Sequence, residues 1–160
     1  MKSKYYFILI LLFTVKVTLS QNFKTLEEFK TYFAEHGHEL DPVEGLWNVI
    51  IYMHTDHVVA QPEEFLVAIM KKKDDYHQFM IEYDKYIPSA DKKRFVKENG
   101  NYICKEYDTR CAMKTNSDIF KISNNQFSFD LEHTAIFNCY AKAKLADSVV
   151  KKYTYTKTYP

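Results

Sequence analysis

The sequence predicts an all-β fold: an up-and-down antiparallel β-barrel of eight to ten strands, preceded by one short amphipathic α-helix. Three observations predict it. Two-residue turn signals, Asn99-Gly100 and Asn124-Asn125, each sit between apolar alternating runs. The tail "SVVKKYTYTKTYP" alternates Tyr153, Tyr155 and Tyr159 with Thr154, Thr156 and Thr158. No helical segment of useful length follows Pro42. A meander this long must close or stack, and closure removes its edges, so the last strand is expected beside the first.

The first twenty residues are set aside from the fold. Lys2 and Lys4 precede the apolar run "YYFILILLF", and Thr18 and Ser20 stand at −3 and −1 before Gln21. This is the layout of a secretory signal cleaved after Ser20. The expected division is 1–20 signal peptide, 21–42 helix and linker, 43–160 barrel. Loss of Lys2, Lys4 and Lys16 leaves 19 Lys+Arg against 21 Asp+Glu, a formal charge of −2. That balance argues against nucleic acid and anionic lipid as partners. The protein is expected outside the cell or in a periplasm, with no transmembrane segment after signal removal.

With 160 residues, 46% of them apolar and 16% aromatic, the chain can fill one core. The helix is expected from about Leu26 to Glu35. Phe23, Leu26, Phe29 and Phe33 share one stripe, Thr25 and Glu28 have capping-box spacing, and Gly37 ends it. The stripe is expected to dock on its own domain. After Pro42, "GLWNVIIYMH", "EFLVAIMKKK" and "YHQFMIEYD" read as strands with two apolar faces.

Three hairpins follow. A turn at Asn99-Gly100 pairs Val96 with Ile103 and Phe95 with Cys104. A turn at Asn124-Asn125 pairs Ile122 with Phe127 and Phe120 with Phe129, all on one face, with Lys121, Ser123, Ser128 and Asp130 on the other. A loop over 106–109 sets Cys104 opposite Cys111, which is disulfide geometry in an oxidising compartment. Two reduced, buried thiols are the alternative. Cys139 makes the count odd, so a monomer keeps at least one free thiol.

Gly45 lets the entering chain bend close to the closing strand, and Trp47 can plug the end of the barrel. This Gly-x-Trp after a short helix resembles the first motif of lipocalins and related calycin barrels. The likeness implies an arginine over the tryptophan, for which Lys151 or Lys152 stands as substitute. A mid-chain Thr-Asp-Tyr and a long C-terminal helix, both part of that pattern, have no match. "DPVEGLW" with the ending "KTYP" also resembles a small lipocalin-like domain of secreted bacterial proteins, sometimes joined to trypsin-like proteases.

No catalytic signature stands out: G-x-S-x-G, H-E-x-x-H and P-loop patterns are absent. The expectation is a non-enzymatic protein with no cofactor and no metal. Two histidine groups, His36, His38, Glu39 and Asp41, and His54, Asp56 and His57, carry metal-compatible side chains but read as solvated loops. The tyrosines, thirteen in number, suit either face of a barrel.

Two functions fit. In the first, the barrel holds a small hydrophobic ligand. Its interior is then drawn from Trp47, Val49, Ile51, Phe79, Ile81, Phe120, Ile122, Phe127, Phe129 and Phe137. In the second, those rings fill the interior and the protein is a structural or interaction module.

Overall fold

A computed structural model describes residues 23–54, 59–88, 91–108, 113–133 and 149–160. The 1–20 segment, Asp56, His57, Cys111, Phe137 and Cys139 lie outside the described residues. Helix α1 (Leu26–His36) comes first, then strands β1 (Gly45–His54), β2 (Glu63–Lys72) and β3 (Asp75–Glu82). The short β4 (Lys85–Ile87), β5 (Asp91–Glu98), β6 (Asn101–Asp108) and β7 (Met113–Asn116) follow. The described strands end with β8 (Gln126–His133) and β9 (Val149–Tyr159).

The strands form one antiparallel sheet in the order β7-β6-β5-β3-β2-β1-β9-β8, with β4 a side branch on β3. The sheet curls into a nearly closed barrel, with β7 and β8 meeting at the seam. The last strand lies along the first: Ile51 faces Tyr153 and Val49 faces Tyr155. Among the described residues no helix is long and apolar enough to cross a membrane.

Helix α1 starts where its sequence dictates. Thr25 Oγ1 accepts from the Glu28 N–H at 3.3 Å, and the Glu28 carboxylate accepts from the Thr25 N–H at 3.1 Å. Gly37 ends it. Phe29 and Phe33 are fully buried against Leu46, Ala68, Met70 and Ile81. The helix therefore covers the outer face of β1–β3, which explains why those strands are apolar on both sides.

The interior is a second, separate cluster. Val67, Ile69, Phe95, Phe127, Phe129, Leu131, Tyr153 and Tyr155 belong to it, with Trp47 and Val49. Its rings pack face to face and edge to face. Phe127 stacks on Tyr155 at 4.3 Å and 10°, and on Phe120 at 4.9 Å and 8°. Phe95 presents an edge to Phe127, Phe129 and Tyr155 at about 6 Å. Such pairs add about 0.5–1.5 kcal/mol each beyond area burial.

Several registers differ from the sequence expectation. Phe79 and Ile81 belong to the cluster under the helix, not to the barrel interior. On β3 the alternation is shifted by one: Tyr76 and Gln78 face inward, where Gln78 accepts a 2.7 Å hydrogen bond from the buried Tyr155 hydroxyl. The Asn99-Gly100 turn pairs Val96 with Ile103 and Phe95 with Cys104 as expected, with φ of 51° and 80°. The Asn124-Asn125 turn also forms, but only Ser123 and Gln126 bridge across it. Phe120 bridges to Tyr102 instead, although Phe120, Ile122, Phe127 and Phe129 still share the interior. The third hairpin turns later than expected: Asp108 pairs with Met113, and Cys104 meets Ser117. Cys104 is a free, buried thiol, and burial pushes its pKa well up.

Candidate functional site

Two regions concentrate polar chemistry. The first is the sealed end of the barrel, built by 41–47. Gly45 has φ +134°, and a Cβ there would stand 2.7 Å from the Tyr159 carbonyl oxygen, so only glycine fits beneath the closing strand. Trp47 is fully buried, and its Nε1–H donates to the Val43 carbonyl at 2.9 Å. The cation over its ring is Lys157, at 4.9 Å, not Lys151 or Lys152. A bulge between Leu46 and Trp47 shifts the register, so Lys157 faces Trp47 and Tyr159 joins the helix-side cluster.

Asp41 ties this end to three strands. Its carboxylate accepts from Tyr76 Oη at 2.7 Å, Lys71 Nζ at 3.1 Å and Lys97 Nζ. The Lys97 ammonium above all, then Tyr76 and Lys71, holds it well below the usual carboxylate range against the opposing effect of burial. Glu44 is buried and accepts from the backbone N–H of Asp41 and of Lys71, at 3.0 and 2.8 Å. Asp41 is thus bonded to two lysines and a tyrosine. His36 stacks on Tyr32 at 4.4 Å, and His38 lies 3.4 Å from Glu39. Among the described residues no group of three His, Cys, Asp or Glu is placed to hold a metal ion.

The second region is a cleft of about 730 Å³ in the barrel wall. It exists because the wall splits. β3 pairs with β5 only at Tyr76–Phe95 and His77–Arg94. Beyond that point β4 occupies the edge of β3, with Met80 opposite Ile87. β4 is itself drawn outward to the start of α1, since Tyr86 N–H donates to Lys24 O and Leu26 N–H to Asp84 O, both at 2.9 Å. The first half of β5 is left without β3 as a neighbour.

Phe79, Met80, Tyr86 and Tyr107 give the cleft apolar surface. Six cations line it: Lys72, Lys92, Lys93, Arg94, Lys105 and Lys114. Glu106 is the one acid among the described lining residues. Lys93 and Glu106 are cross-strand partners with side chains 6% and 0% exposed, 3.3 Å apart. Both carboxylate oxygens of Glu106 are buried without a hydrogen bond, while Lys93 also sits over the Tyr153 ring at 4.8 Å. His77 lines the outer side; burial lowers its pKa, helped by Lys72 and Arg94 and opposed by Asp75.

The ligand-lining expectation therefore divides. Trp47, Val49, Ile51, Phe120, Ile122, Phe127 and Phe129 do converge in the interior, packed on one another. Among the described members of the ten, Phe79 alone borders the cleft. The lysines of the cleft were not singled out from sequence, although a signal was present: the Asn99-Gly100 register places Lys93 opposite Glu106 on the same face as Phe95 and Cys104. Comparison with protein-family models, curated proteins and solved structures finds no match to this chain, so its architecture rests on the strand order and register described above.

Proposed function

We propose that this chain is an exported, non-enzymatic binding protein that takes a small organic ligand in the cleft between β3 and β5. The observation that carries the reading is the cleft itself. Its volume of about 730 Å³ falls in the range of small-molecule sites, about 300–1,000 Å³, and it combines apolar walls with a few polar groups. A lipocalin-like barrel would ordinarily offer its lumen. Here the lumen positions are taken by stacked rings, so the side wall is the better site.

The test is a titration of the mature protein with N-phenyl-1-naphthylamine, a neutral apolar dye. Saturable fluorescence enhancement at one dye per chain is expected. Enhancement that stays linear both with this dye and with a sulfonated dye of the same ring system would overturn the reading. A second reading, a surface interaction module, is favoured by the same aromatic filling of the interior. It predicts that linear outcome.

A further inference from the structure

We propose that the ligand of the β3–β5 cleft is an aromatic organic anion, held by its rings on Phe79, Met80, Tyr86 and Tyr107 and by its charge on Lys72, Lys92, Lys105 and Lys114. This rests on the binding function proposed above and narrows it to a chemical class.

Charge around the cleft is unbalanced. The whole chain carries a formal charge of only +1, yet six of its cations converge on one cleft with one acid among the described lining residues. Two of the six are offset. Lys93 is paired with Glu106, and Arg94 Nη1 donates to Asp75 at 2.9 Å. Among the described lining residues no acid is left over for the other four, Lys72, Lys92, Lys105 and Lys114. Like charges gathered this way repel one another, and an anion placed among them relieves that repulsion. Lysine ammonium groups act as mobile point charges and lack the fixed fork of arginine. They select for charge and set little demand on the shape of the anionic group.

The apolar wall of the cleft favours rings. Phe79 and Tyr86 meet edge to face at 5.7 Å, and Phe79 is backed by Phe29 of the helix at 5.9 Å. That wall is held in place from behind. Tyr86 and Tyr107 are each about one-third exposed, a large aromatic surface for strands that face a cleft. A flat ring offers edge-to-face and offset contacts to such a wall.

The test uses two dyes with the same ring system. 8-Anilinonaphthalene-1-sulfonate carries a sulfonate, and N-phenyl-1-naphthylamine does not. The sulfonate dye is expected to bind at least tenfold more tightly at low salt, with the advantage shrinking severalfold in 0.5 M salt, where the screening length falls to about 4 Å. The Lys92→Glu/Lys105→Glu variant is expected to bring the ratio of the two affinities down to about one. Saturable binding of both dyes with equal affinity would overturn the anion inference and leave the cleft as a binding site. A linear response to both dyes would overturn the binding function itself. A preference that persists at high salt and in the variant would place the sulfonate away from these lysines and also overturn the inference. The salt comparison needs no variant, so it stands should the double substitution fail to fold.

Discussion

The sealed end and the split wall of this barrel use the same residue types in opposite ways. At the sealed end, lysines meet carboxylates. Lys71 and Lys97 converge on Asp41, Glu44 takes two backbone N–H groups, and the indole N–H of Trp47 is bonded to Val43. At the split wall, lysines outnumber carboxylates, and the one carboxylate of the described lining is sequestered by Lys93. Paired and buried polar groups fix a structure. Cations gathered around an opening without acids leave an electrostatic demand for a partner. The difference separates the part of the molecule that holds the fold from the part proposed to bind a ligand.

Three substitutions test that separation. The largest loss is expected at the sealed end. Trp47→Ala removes a fully buried ring and the Val43 hydrogen bond, and should cost about 3–5 kcal/mol in denaturant unfolding. A cost under about 1 kcal/mol would mean the indole does not plug the barrel.

Next comes the buried pair beneath the cleft. Lys93→Met leaves the Glu106 carboxylate buried without its ion-pair partner, and should destabilise by roughly 3–4 kcal/mol. Adding Glu106→Leu should recover most of that loss, because a neutral apolar pair needs no compensation. If the double variant is no better than the single one, Lys93 acts mainly through its packing on Tyr153.

The smallest effect carries a pH signature. Asp41→Asn should cost roughly 1.5–3 kcal/mol near neutral pH, as expected for hydrogen bonds to a charged group. The folded pKa of Asp41 is depressed, so its contribution is present above the unfolded value near pH ~3.9. It is lost as pH falls through the lower folded value. The stability gap between wild type and variant should therefore narrow progressively below pH ~4. A gap independent of pH would show that the lysines do not depend on the carboxylate charge.

Much of the fold was legible because local signals were strong. Asn99-Gly100 set a hairpin register that holds residue by residue along β5 and β6. The Thr25–Glu28 box fixed the helix start, and Gly45 with Trp47 marked the sealed end. β3 was misread for a physical reason. With the interior on one side and the helix on the other, both of its faces carry apolar residues, so alternation could not tell Tyr76 and Gln78 from Phe79 and Ile81. The Cys104 register was misread because β6 runs on to Asp108, past the loop that the cysteine spacing suggested.

The cleft was not legible as a place, because it depends on a competition between strands. β4 takes the edge of β3 that β5 would otherwise occupy, and the start of the helix draws β4 outward. No periodicity within "DKKRF" or "NYICKEYD" reports that event. Only the cross-strand meeting of Lys93 and Glu106 was available from the hairpin register. An ion pair on an otherwise apolar inner face is a sign that the wall nearby is not continuous core.

The central claim is that the ligand site lies in the wall and not in the lumen. Backbone and indole NMR spectra of residues 21–160, recorded with increasing N-phenyl-1-naphthylamine, decide between the two places. Saturable shift changes are expected at Phe79, Tyr86, Lys92 and Tyr107, with the Trp47 indole N–H and the amides of Phe127 and Tyr155 little moved. Changes centred on Trp47, Phe127, Phe129 and Tyr155, with the cleft residues silent, would place the ligand among the stacked rings and contradict it.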